Sequence, residues 1–361
     1  MTATAATRDY SLIGRDGRLA VESGLAGAEW YVCPIPRQRL KELMKREDGP
    51  AIRDTLLWFG YLAVFGAGGF LFWGTFWCVP FFLAYGVLYG SASDSRWHEC
   101  GHGTAFKTRW MNDAVYHIAC FMVLREPTPW RWSHTRHHTD TIIVGRDPEI
   151  AVPRPPNLLG ILLNVFALRS GFKEIGHVLL HSVGRLTPAE KDYIPEMEYP
   201  KVFRVAQIWV AIWAAIIGAC FYFGSILPAM FVGLPSFYGA WMYLMFGLTQ
   251  HAGLAEDVLD HRLNSRTVYM NPVFRFIYWN MNYHVEHHMF PMVPYHAIPK
   301  LHDEMKPFCP APYRSTWEAY REIIPTLWKQ RQDPTHYVQR RLPDGARSME
   351  TAPAAGALAA A

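Results

Sequence analysis

Residues 134–138 read H-T-R-H-H, residues 284–288 read H-V-E-H-H and residues 98–102 read H-E-C-G-H. On a helix, residues three and four positions apart lie on one face, so each of these histidine boxes directs its imidazoles in one direction. Imidazole is a common ligand of iron, zinc, copper and nickel. The boxes together hold eight histidines, more than one metal ion can bind. The sequence therefore predicts a two-metal, all-imidazole site.

Two other interpretations of the boxes stay open. Single histidines are often individually hydrogen-bonded side chains, although this explains two copies of H-x-x-H-H poorly. The first box also satisfies H-E-x-x-H, the helix motif in which two histidines bind zinc and a glutamate activates water. A membrane zinc protease built on His98, Glu99 and His102 would leave six box histidines without a role. Cys100 lies two positions after His98 and points away from the ligand face, which argues against a thiolate site.

Charge is unevenly distributed along the chain. Charged residues are 18% of the sequence and the net charge is +4, as in many soluble proteins. Yet no Asp, Glu, Lys or Arg occurs between Thr55 and Ser93 or between Val205 and Ala255. A membrane pass needs about 20 apolar residues, so each stretch accommodates two passes with a turn at Gly74-Thr75 or Gly224-Ser225. The predicted passes are Thr55 to Trp73, Phe76 to Ala92, Val205 to Phe223 and Ile226 to Leu248.

An even number of passes places both termini and the loop from Asp94 to Arg204 on one side of the membrane. These segments contain every Lys and Arg of the chain, and the two opposite turns contain none. By the positive-inside rule, this charged side is cytoplasmic. All three boxes lie on it. The sequence thus predicts an all-α integral membrane protein with two transmembrane hairpins and a cytosolic helical cap that holds the histidine site.

The domain organisation follows from these boundaries. Residues 1–54 are expected to form a cytosolic segment with an interfacial helix near Arg37 to Arg46, and residues 55–340 to form the membrane and cap domain. The small, Ala-rich residues 341–361 are expected to be a disordered tail. The apolar runs Tyr116 to Leu124 and Leu158 to Leu168 are too short to span, so they are interfacial or buried in the cap. The polar start of the chain does not resemble a signal peptide, and the unpaired spacing of the six cysteines indicates reduced thiols.

The ordered boxes, the two hairpins and a lone His251 ahead of the third box resemble the membrane-bound fatty acid desaturase and alkane hydroxylase superfamily. The resemblance covers roughly Trp30 to Cys309. It implies a di-iron centre, held by histidines on the cytosolic cap, that uses dioxygen and two electrons to oxidise an unactivated C–H bond. It also implies the ligand set His98, His102, His134, His137, His138, His251, His284, His287 and His288.

His251 is included because family members place an extra ligand between the last pass and the third box. Here it lies in T-Q-H-A-G-L, which resembles the corresponding stretch of alkane hydroxylases. Acyl-CoA desaturases carry Asn four residues earlier, where this chain has Gly247. This departure points away from simple acyl-CoA desaturation.

Carboxylates are expected behind the ligands, because a metal-bound imidazole usually donates its other N–H to a carboxylate or a carbonyl. Proximity in sequence identifies five candidates for this role. They are Asp94, Glu99, Asp140, Asp147 and Glu286.

The longer runs R-W-H-E-C-G-H-G-T-A-F-K-T, W-S-H-T-R-H-H-T-D-T-I-I-V-G-R-D-P-E and N-Y-H-V-E-H-H-M-F-P resemble a bacterial branch of desaturase-like hydrocarbon oxygenases. That resemblance implies a bacterial inner or plasma membrane. One member of the branch belongs to rhizopine catabolism, so oxidative O-demethylation of a methoxy-cyclitol is an alternative to desaturation or hydroxylation of a fatty-acyl or alkyl chain.

The sequence contains no iron–sulfur spacing, no dinucleotide-binding fingerprint and no haem-attachment motif. Electrons are therefore expected from a separate ferredoxin-type donor, Rieske-type or rubredoxin-like, and its reductase. Arg109, Arg125, Arg131 and Arg136 are candidates to dock an acidic donor or to meet anionic headgroups. Their charges are interspersed with acids and lack a recognition motif, which argues against nucleic-acid binding.

Overall fold

The computed structural model describes residues 8–344. Within this range the ordered elements are helices, and isolated bridges join Thr267 to Tyr283 and Val268 to Tyr313. The predicted all-helical class is therefore confirmed for the described residues. The predicted disorder of the tail beyond residue 344 lies outside them.

The first part of the chain forms a helical hairpin. Gly74, with φ of +81°, lies in the turn between its arms, at the predicted turn point. The first arm begins at Asp48 rather than at Thr55, because Asp48 and Pro50 suit a first helical turn. The second arm passes through a π-helical segment, Val87–Ser91. It then continues beyond the predicted end at Ala92 and reaches the first box. The helices are α1 Arg15–Glu22, α2 Arg37–Leu43, α3 Asp48–Leu71, α4 Cys78–Gly86 and α5 Ala92–Gly101.

The long loop between the uncharged stretches is also helical. The predicted apolar run that starts at Tyr116 lies largely in a helix whose Tyr116, Ala119 and Cys120 are buried. The run from Leu158 to Leu168 instead leaves several large apolar side chains exposed. The helices are α6 Arg109–Met122, α7 Pro127–Thr139, α8 Leu158–Leu163, α9 Leu168–Ser182 and α10 Pro188–Tyr193, with a 3-10 turn, Asn164–Phe166, between α8 and α9.

The second uncharged stretch differs from the first. Its first helix ends at Gly224, a left-handed residue at the predicted turn point. The region predicted as one pass from Ile226 to Leu248 is divided into three short helices, because Pro228 and Pro235 start new helices and Gly233 has φ of +100°. A side chain at Gly239 would collide with the Gly86 carbonyl, so the broken segment packs closely on α4. The helices are α11 Tyr199–Phe223, α12 Leu227–Phe231, α13 Pro235–Tyr238 and α14 Trp241–His251.

The remaining chain adds short helices that carry the third box and close the cap. They are α15 His261–Asn264, α16 Pro272–Tyr278, α17 His284–Met289, α18 Ile298–Met305 and α19 Thr316–Gln332.

Two segments of the described chain are long and apolar enough to cross a membrane, Arg37–Leu71 and Glu196–Phe223. Each coincides with the first arm of a predicted hairpin. Exposed apolar side chains cover both, including Leu56 and Leu71 on α3 and Phe221 and Tyr222 on α11. Such surfaces suit a lipid environment.

The main core lies where both hairpins meet the cap. Its centre is Arg96, which is fully buried between the rings of Trp58 and Trp279. The guanidinium donates to the carbonyls of Ala92 and Ile277 at 2.8 and 2.7 Å. A buried cation is tolerated when it is hydrogen-bonded. Although Nε of Arg96 is buried without a partner, these bonds hold α5, and with it the first box, against α16.

Candidate metal centre

The box histidines and His251 form two adjacent groups. Within each group, candidate ligand atoms lie within 4.8 Å of one another. One group has five members and the other has four. The five-histidine group comprises His98, His102, His134, His138 and His287, and the four-histidine group comprises His137, His251, His284 and His288.

Two helices supply both groups. In α7, His134 and His138 enter the five-histidine group while His137 enters the four-histidine group. In α17 the division is reversed, because His284 and His288 enter the four-histidine group while His287 enters the other. Residues four apart nearly eclipse on a helix, whereas adjacent residues are rotated by about 100°. One H-x-x-H-H box therefore serves two sites at once. The remaining donors are His98 on α5, His102 directly after the end of α5, and His251 at the end of α14.

The imidazoles turn their Nε2 atoms toward one another. In the five-histidine group, Nε2 of His98 lies 2.7 Å from that of His287 and 3.1 Å from that of His134. In the four-histidine group, Nε2 of His284 lies 2.9 Å from that of His251 and 3.0 Å from that of His288. Metal–imidazole bonds of about 2.1 Å place neighbouring ligand atoms about 3 Å apart at right angles. The spacing is thus that of donors around a metal ion.

In each ring, Nδ1 is the outer nitrogen, which faces away from the other imidazoles. The contacts of Nδ1 identify which ring nitrogen carries the proton. Nδ1 of His134 lies 3.1 Å from Glu149, Nδ1 of His137 lies 2.8 Å from Asp147, and Nδ1 of His251 lies 2.8 Å from the Asn264 carbonyl. These acceptors require a proton on Nδ1, which leaves the Nε2 lone pair free. Converging lone pairs repel one another unless a cation lies between them. The donor set therefore fits two nitrogen-ligated transition-metal ions.

Protonation would oppose this arrangement, and the surroundings disfavour it. Burial and the neighbouring imidazoles lower the pKa of His138, His284 and His288 well below the ordinary value. Burial would also lower the pKa of His137, but Asp147 raises it. Most of the rings are therefore neutral and able to act as ligands near neutral pH.

The five carboxylates expected behind the ligands have different surroundings. Asp147 contacts His137 as described. The other four do not contact either group in the described structure, because each has another partner. Asp94 pairs with Arg125, Asp140 with Arg146, Glu99 with Thr104, and Glu286 with Thr267 and His302.

Sequence reasoning missed Glu149, whose Oε2 faces His134. It follows Asp147 in the run G-R-D-P-E after the second box, and its backbone N–H donates to Asp147 at 2.7 Å. It also missed the contact of His261, whose ring stacks on His288 at 5.1 Å without joining a group.

A cavity of about 400 Å³ reaches both groups from one side. Its inner end is lined by His98, His134, His137, His251 and His284. Apolar side chains such as Leu244 and Leu248 line it together with Trp97 and Trp130. Arg125, a candidate for docking the electron donor, instead lines this cavity, where it pairs with Asp94 at 2.6 Å and lies 4.3 Å from the centre of the Trp130 ring. The cavity therefore leads to the centre past apolar and aromatic side chains and past the ion pair of Asp94 and Arg125.

A second, smaller recess of about 360 Å³ reaches the five-histidine group at His102. Of the nine clustered histidines, His102 is the one that lines it. The described lining contains the basic residues Arg46, Lys107, Arg109 and Arg131 and one carboxylate, Asp113. Two openings of different character thus lead to the centre.

Comparison with known proteins identifies relatives. A family model described as fatty acid desaturase matches residues 75–320. An omega-3 fatty acid desaturase of the endoplasmic reticulum from Nicotiana tabacum is 25% identical over 237 residues, which cover 60% of this chain and 62% of the relative. The delta(12) fatty acid desaturase fat-2 from Caenorhabditis elegans is 36% identical over 98 residues, which cover 27% of this chain and 21% of the relative.

The acyl-lipid (9+3)-(E)-desaturase from Dimorphotheca sinuata is 38% identical over 76 residues, which cover 20% of each chain. In all three cases the match spans less than two thirds of the relative. The family model, in contrast, matches well over half of the present sequence and includes all three boxes and His251. The chain belongs to the fatty acid desaturase family.

Proposed function

We propose that the chain is a membrane-bound di-iron oxidoreductase that oxidises an unactivated C–H bond of a fatty-acyl or alkyl substrate. The observation that supports this most strongly is the convergence of nine imidazoles in adjacent groups of five and four. Nitrogen-rich sites suit redox-active iron, and two such ions would supply the activation of dioxygen. Family membership favours fatty-acyl oxidation over other chemistry.

The protein's own groups have defined tasks in this proposal. Asp147 and Glu149 accept the Nδ1 protons of His137 and His134 and so orient their rings. The cavity walls hold the substrate chain next to the donors and exclude water. Desaturation would consume one dioxygen, two electrons and two protons and release two waters. Hydroxylation would place one oxygen atom in the product and release one water.

The zinc protease alternative is not supported. Its water-activating residue would be Glu99, but this side chain is fully buried and accepts from Thr104 Oγ1 at 2.8 Å. It lines neither of the two openings described above. Oxidative O-demethylation of a methoxy-cyclitol remains a second candidate, because Arg125, Asp94 and Tyr243 give the cavity polar groups that a small polyol could contact.

Substrate oxidation in membranes tests the proposal. Protein supplied with a ferredoxin and its reductase is offered a fatty-acyl lipid, an alkane and an O-methylated cyclitol under ¹⁸O₂. We expect dioxygen-dependent product from the acyl lipid or the alkane. Label in an alcohol indicates hydroxylation, an unlabelled double bond indicates desaturation, and formaldehyde from the cyclitol indicates demethylation. Absence of oxygen uptake in iron-loaded protein with all three would contradict the assignment.

We also propose a four-pass arrangement with cytoplasmic termini and an active site facing the cytoplasm of a bacterium. The two long candidate spans supply one arm of each hairpin, and the Gly74 and Gly224 turns reverse the chain after each. In the second hairpin the returning arm is α12 to α14 rather than one helix. Reporter fusions after Arg53, Asp94, Arg204 and Glu256 should all report the cytoplasmic side.

The electron donor is proposed to dock at the recess beside His102. Arg46, Lys107 and Arg109 form no ion pair in the described structure, while Arg131 lies 3.6 Å from Asp113. This excess of positive charge fits an acidic ferredoxin-type protein. Of the other two arginines considered for docking, Arg125 is inside the cavity and Arg136 pairs with Asp192 at 3.3 Å.

Charge-reversal variants distinguish a defect in docking of the electron donor from a defect in the oxidation reaction. The variant Lys107→Glu/Arg109→Glu should slow ferredoxin-supported turnover about tenfold or more at low salt, since rim charges mainly govern association rates. Turnover with a small chemical reductant should be unchanged. The matched control is Arg321→Glu/Lys329→Glu on α19, which changes the net charge equally away from both openings. Equal slowing in both variants would contradict the docking site.

A further inference from the structure

The cavity that reaches the histidine groups has a basic rim. Its exposed lining residues are Ala151, Pro153, Arg169 and Lys173. Arg169 and Lys173 lie four positions apart on α9 and therefore on one face of the helix. Neither forms an ion pair within residues 8–344. Two unpaired cations thus flank the entrance to the site.

The surface around this rim is apolar. Large side chains of α8, of the 3-10 turn and of the start of α9 are exposed by 40% to 66%. A contiguous apolar face on a short helical segment with adjacent basic residues is typical of a segment that lies in the membrane interface. Long basic side chains at such a face extend to the headgroup level. The exposed residues are Leu159, Leu162, Leu163, Phe166, Leu168 and Phe172.

The segment from α8 to the start of α9 has one face toward the cavity and one face toward the outside. Ile161, Asn164 and Ala167 line the cavity, while the exposed apolar residues of the same segment point outward. The segment therefore separates the cavity from the apolar outer surface. An amphiphile in the bilayer would therefore have to pass only this segment to reach the cavity.

The carboxylates deeper in the cavity face partners other than the rim cations. Asp94 pairs with Arg125, and Glu149 faces His134. Glu174 accepts from the indole N–H of Trp130 at 3.4 Å and lies 4.0 Å from His177, so it faces α7 rather than the rim. Arg169 and Lys173 are the cavity's cations without a carboxylate partner in the described chain.

We propose that the cavity takes an anionic amphiphile from the membrane, with its carboxylate or phosphate bound by Arg169 and Lys173 and its alkyl chain in the interior. This inference rests on the proposed function and specifies its substrate class. The rim would fix the distance between the anionic group and the histidines, so it would determine which carbon of the chain is oxidised.

Binding in the absence of dioxygen and reductant tests this directly. The protein is placed in zwitterionic lipid nanodiscs and titrated with three probes of equal chain length: a spin-labelled fatty acid, a spin-labelled phosphatidic acid and the labelled fatty acid methyl ester. The variant Arg169→Gln/Lys173→Gln is compared with Arg37→Gln/Lys41→Gln, an exposed pair at the same spacing on α2 that lines neither opening.

We expect the rim variant to raise the dissociation constant of an anionic probe about tenfold, and each single variant about threefold, because each basic residue near an anionic group makes a modest and roughly additive contribution to binding. Binding of the ester, iron content and melting temperature should not change. An effect confined to the fatty acid identifies a carboxylate, and one confined to phosphatidic acid identifies a headgroup phosphate.

Three results would overturn the inference: unchanged affinity for both anionic probes in the rim variant, equal weakening of the ester, or equal weakening by the α2 control pair. The outcome is separable from that of the proposed function, since binding requires no turnover. Rim-dependent binding without any oxidation would count against the oxidoreductase assignment alone.

Discussion

The two histidine groups differ in what holds their rings. In the four-histidine group, the outer nitrogens of His137, His251 and His288 face Asp147, the Asn264 carbonyl and the Thr141 hydroxyl. In the five-histidine group, only His134 has such a partner in the described structure, Glu149. The outer nitrogens of His138 and His287 are buried without a partner, and so is that of His284 in the four-histidine group. Partners of the outer nitrogen thus hold three of the four rings in the four-histidine group, which is the braced group. In the five-histidine group they hold one of the five rings, so its metal ligands are more numerous and less constrained.

This contrast indicates a division of tasks. A braced group with four donors depends on each of them, whereas a group with five tolerates adjustment of one. The recess at His102 also opens on the five-histidine group. We expect the five-histidine group to be the more adaptable half of the centre.

Removal of one donor from each group should have the largest effect. His284→Ala leaves three donors in its group, so iron content should fall from about two to about one per chain and turnover should be lost. His287→Ala leaves four, so it should lose turnover but retain more iron. Elemental analysis of both purified variants checks this. Equal iron loss in the two would remove the distinction between the groups.

Removal of the supporting carboxylates should have the next largest effect. Loss of such a partner typically lowers metal affinity by about 10- to 100-fold. Asp147→Asn should lie at the upper end, because Asp147 also accepts the backbone N–H groups of Ile142 and Glu149 at 2.8 and 2.7 Å. Glu149→Gln should lie at the lower end. Competition with a chelator measures both, and a larger effect at Glu149 would contradict the bracing argument.

A substitution at Gly247 should change substrate binding without changing metal binding. It lines the cavity on α14, and nothing lies within 4 Å of where its side chain would project. Gly247→Leu should therefore fold, with a gain of at most about 1 kcal/mol from helix propensity. It should raise KM about tenfold by filling the cavity. Gly176→Leu on α9, where a side chain also meets open space, is the control. A loss of iron in Gly247→Leu would place this residue in the metal site instead.

The smallest expected effect concerns His181. Its carboxylate neighbours raise its pKa, whereas the pKa of most of the clustered histidines is lowered. Burial alone would lower the pKa of His181, but the hydrogen bond that Nδ1 donates to Glu126 and the Glu190 carboxylate 3.2 Å from Nε2 raise it to about 9. The unfolded value is about 6.5. The stabilisation is therefore complete below pH 6.5 and lost as the pH rises through about 9.

The melting temperature should thus fall by about 2–4 °C between pH 7 and pH 10 on this account. In His181→Gln this component of the pH dependence should disappear. An unchanged pH profile in the variant would show that His181 is neutral in the folded protein.

The histidine groups were predictable because their information is local. Spacings of three and four residues fix which rings share a helix face, whatever the rest of the fold does. The turns at Gly74 and Gly224 were predictable for a similar reason, since they interrupt long uncharged stretches. The expectation that each box directs all its imidazoles one way is wrong for the second and third boxes, because only their residues four positions apart share a group.

Features that depend on tertiary packing were not predictable. Glu149 and Asp147 are two residues apart, and only the loop after α7 determines which imidazole each one faces. Arg125 resembles a surface residue in the sequence, but it is held inside the cavity by Asp94 and the rings of Trp97 and Trp130. The division of the predicted fourth pass follows from prolines and from the close approach of Gly239 to Gly86.

X-ray absorption at the iron edge of the purified wild-type protein, combined with iron quantification, tests the central claim most directly. We expect about two irons per chain, each bound mainly by imidazole nitrogens at about 2.1 Å and by no sulfur ligand. A single bound zinc whose retention requires only His98 and His102 would contradict it.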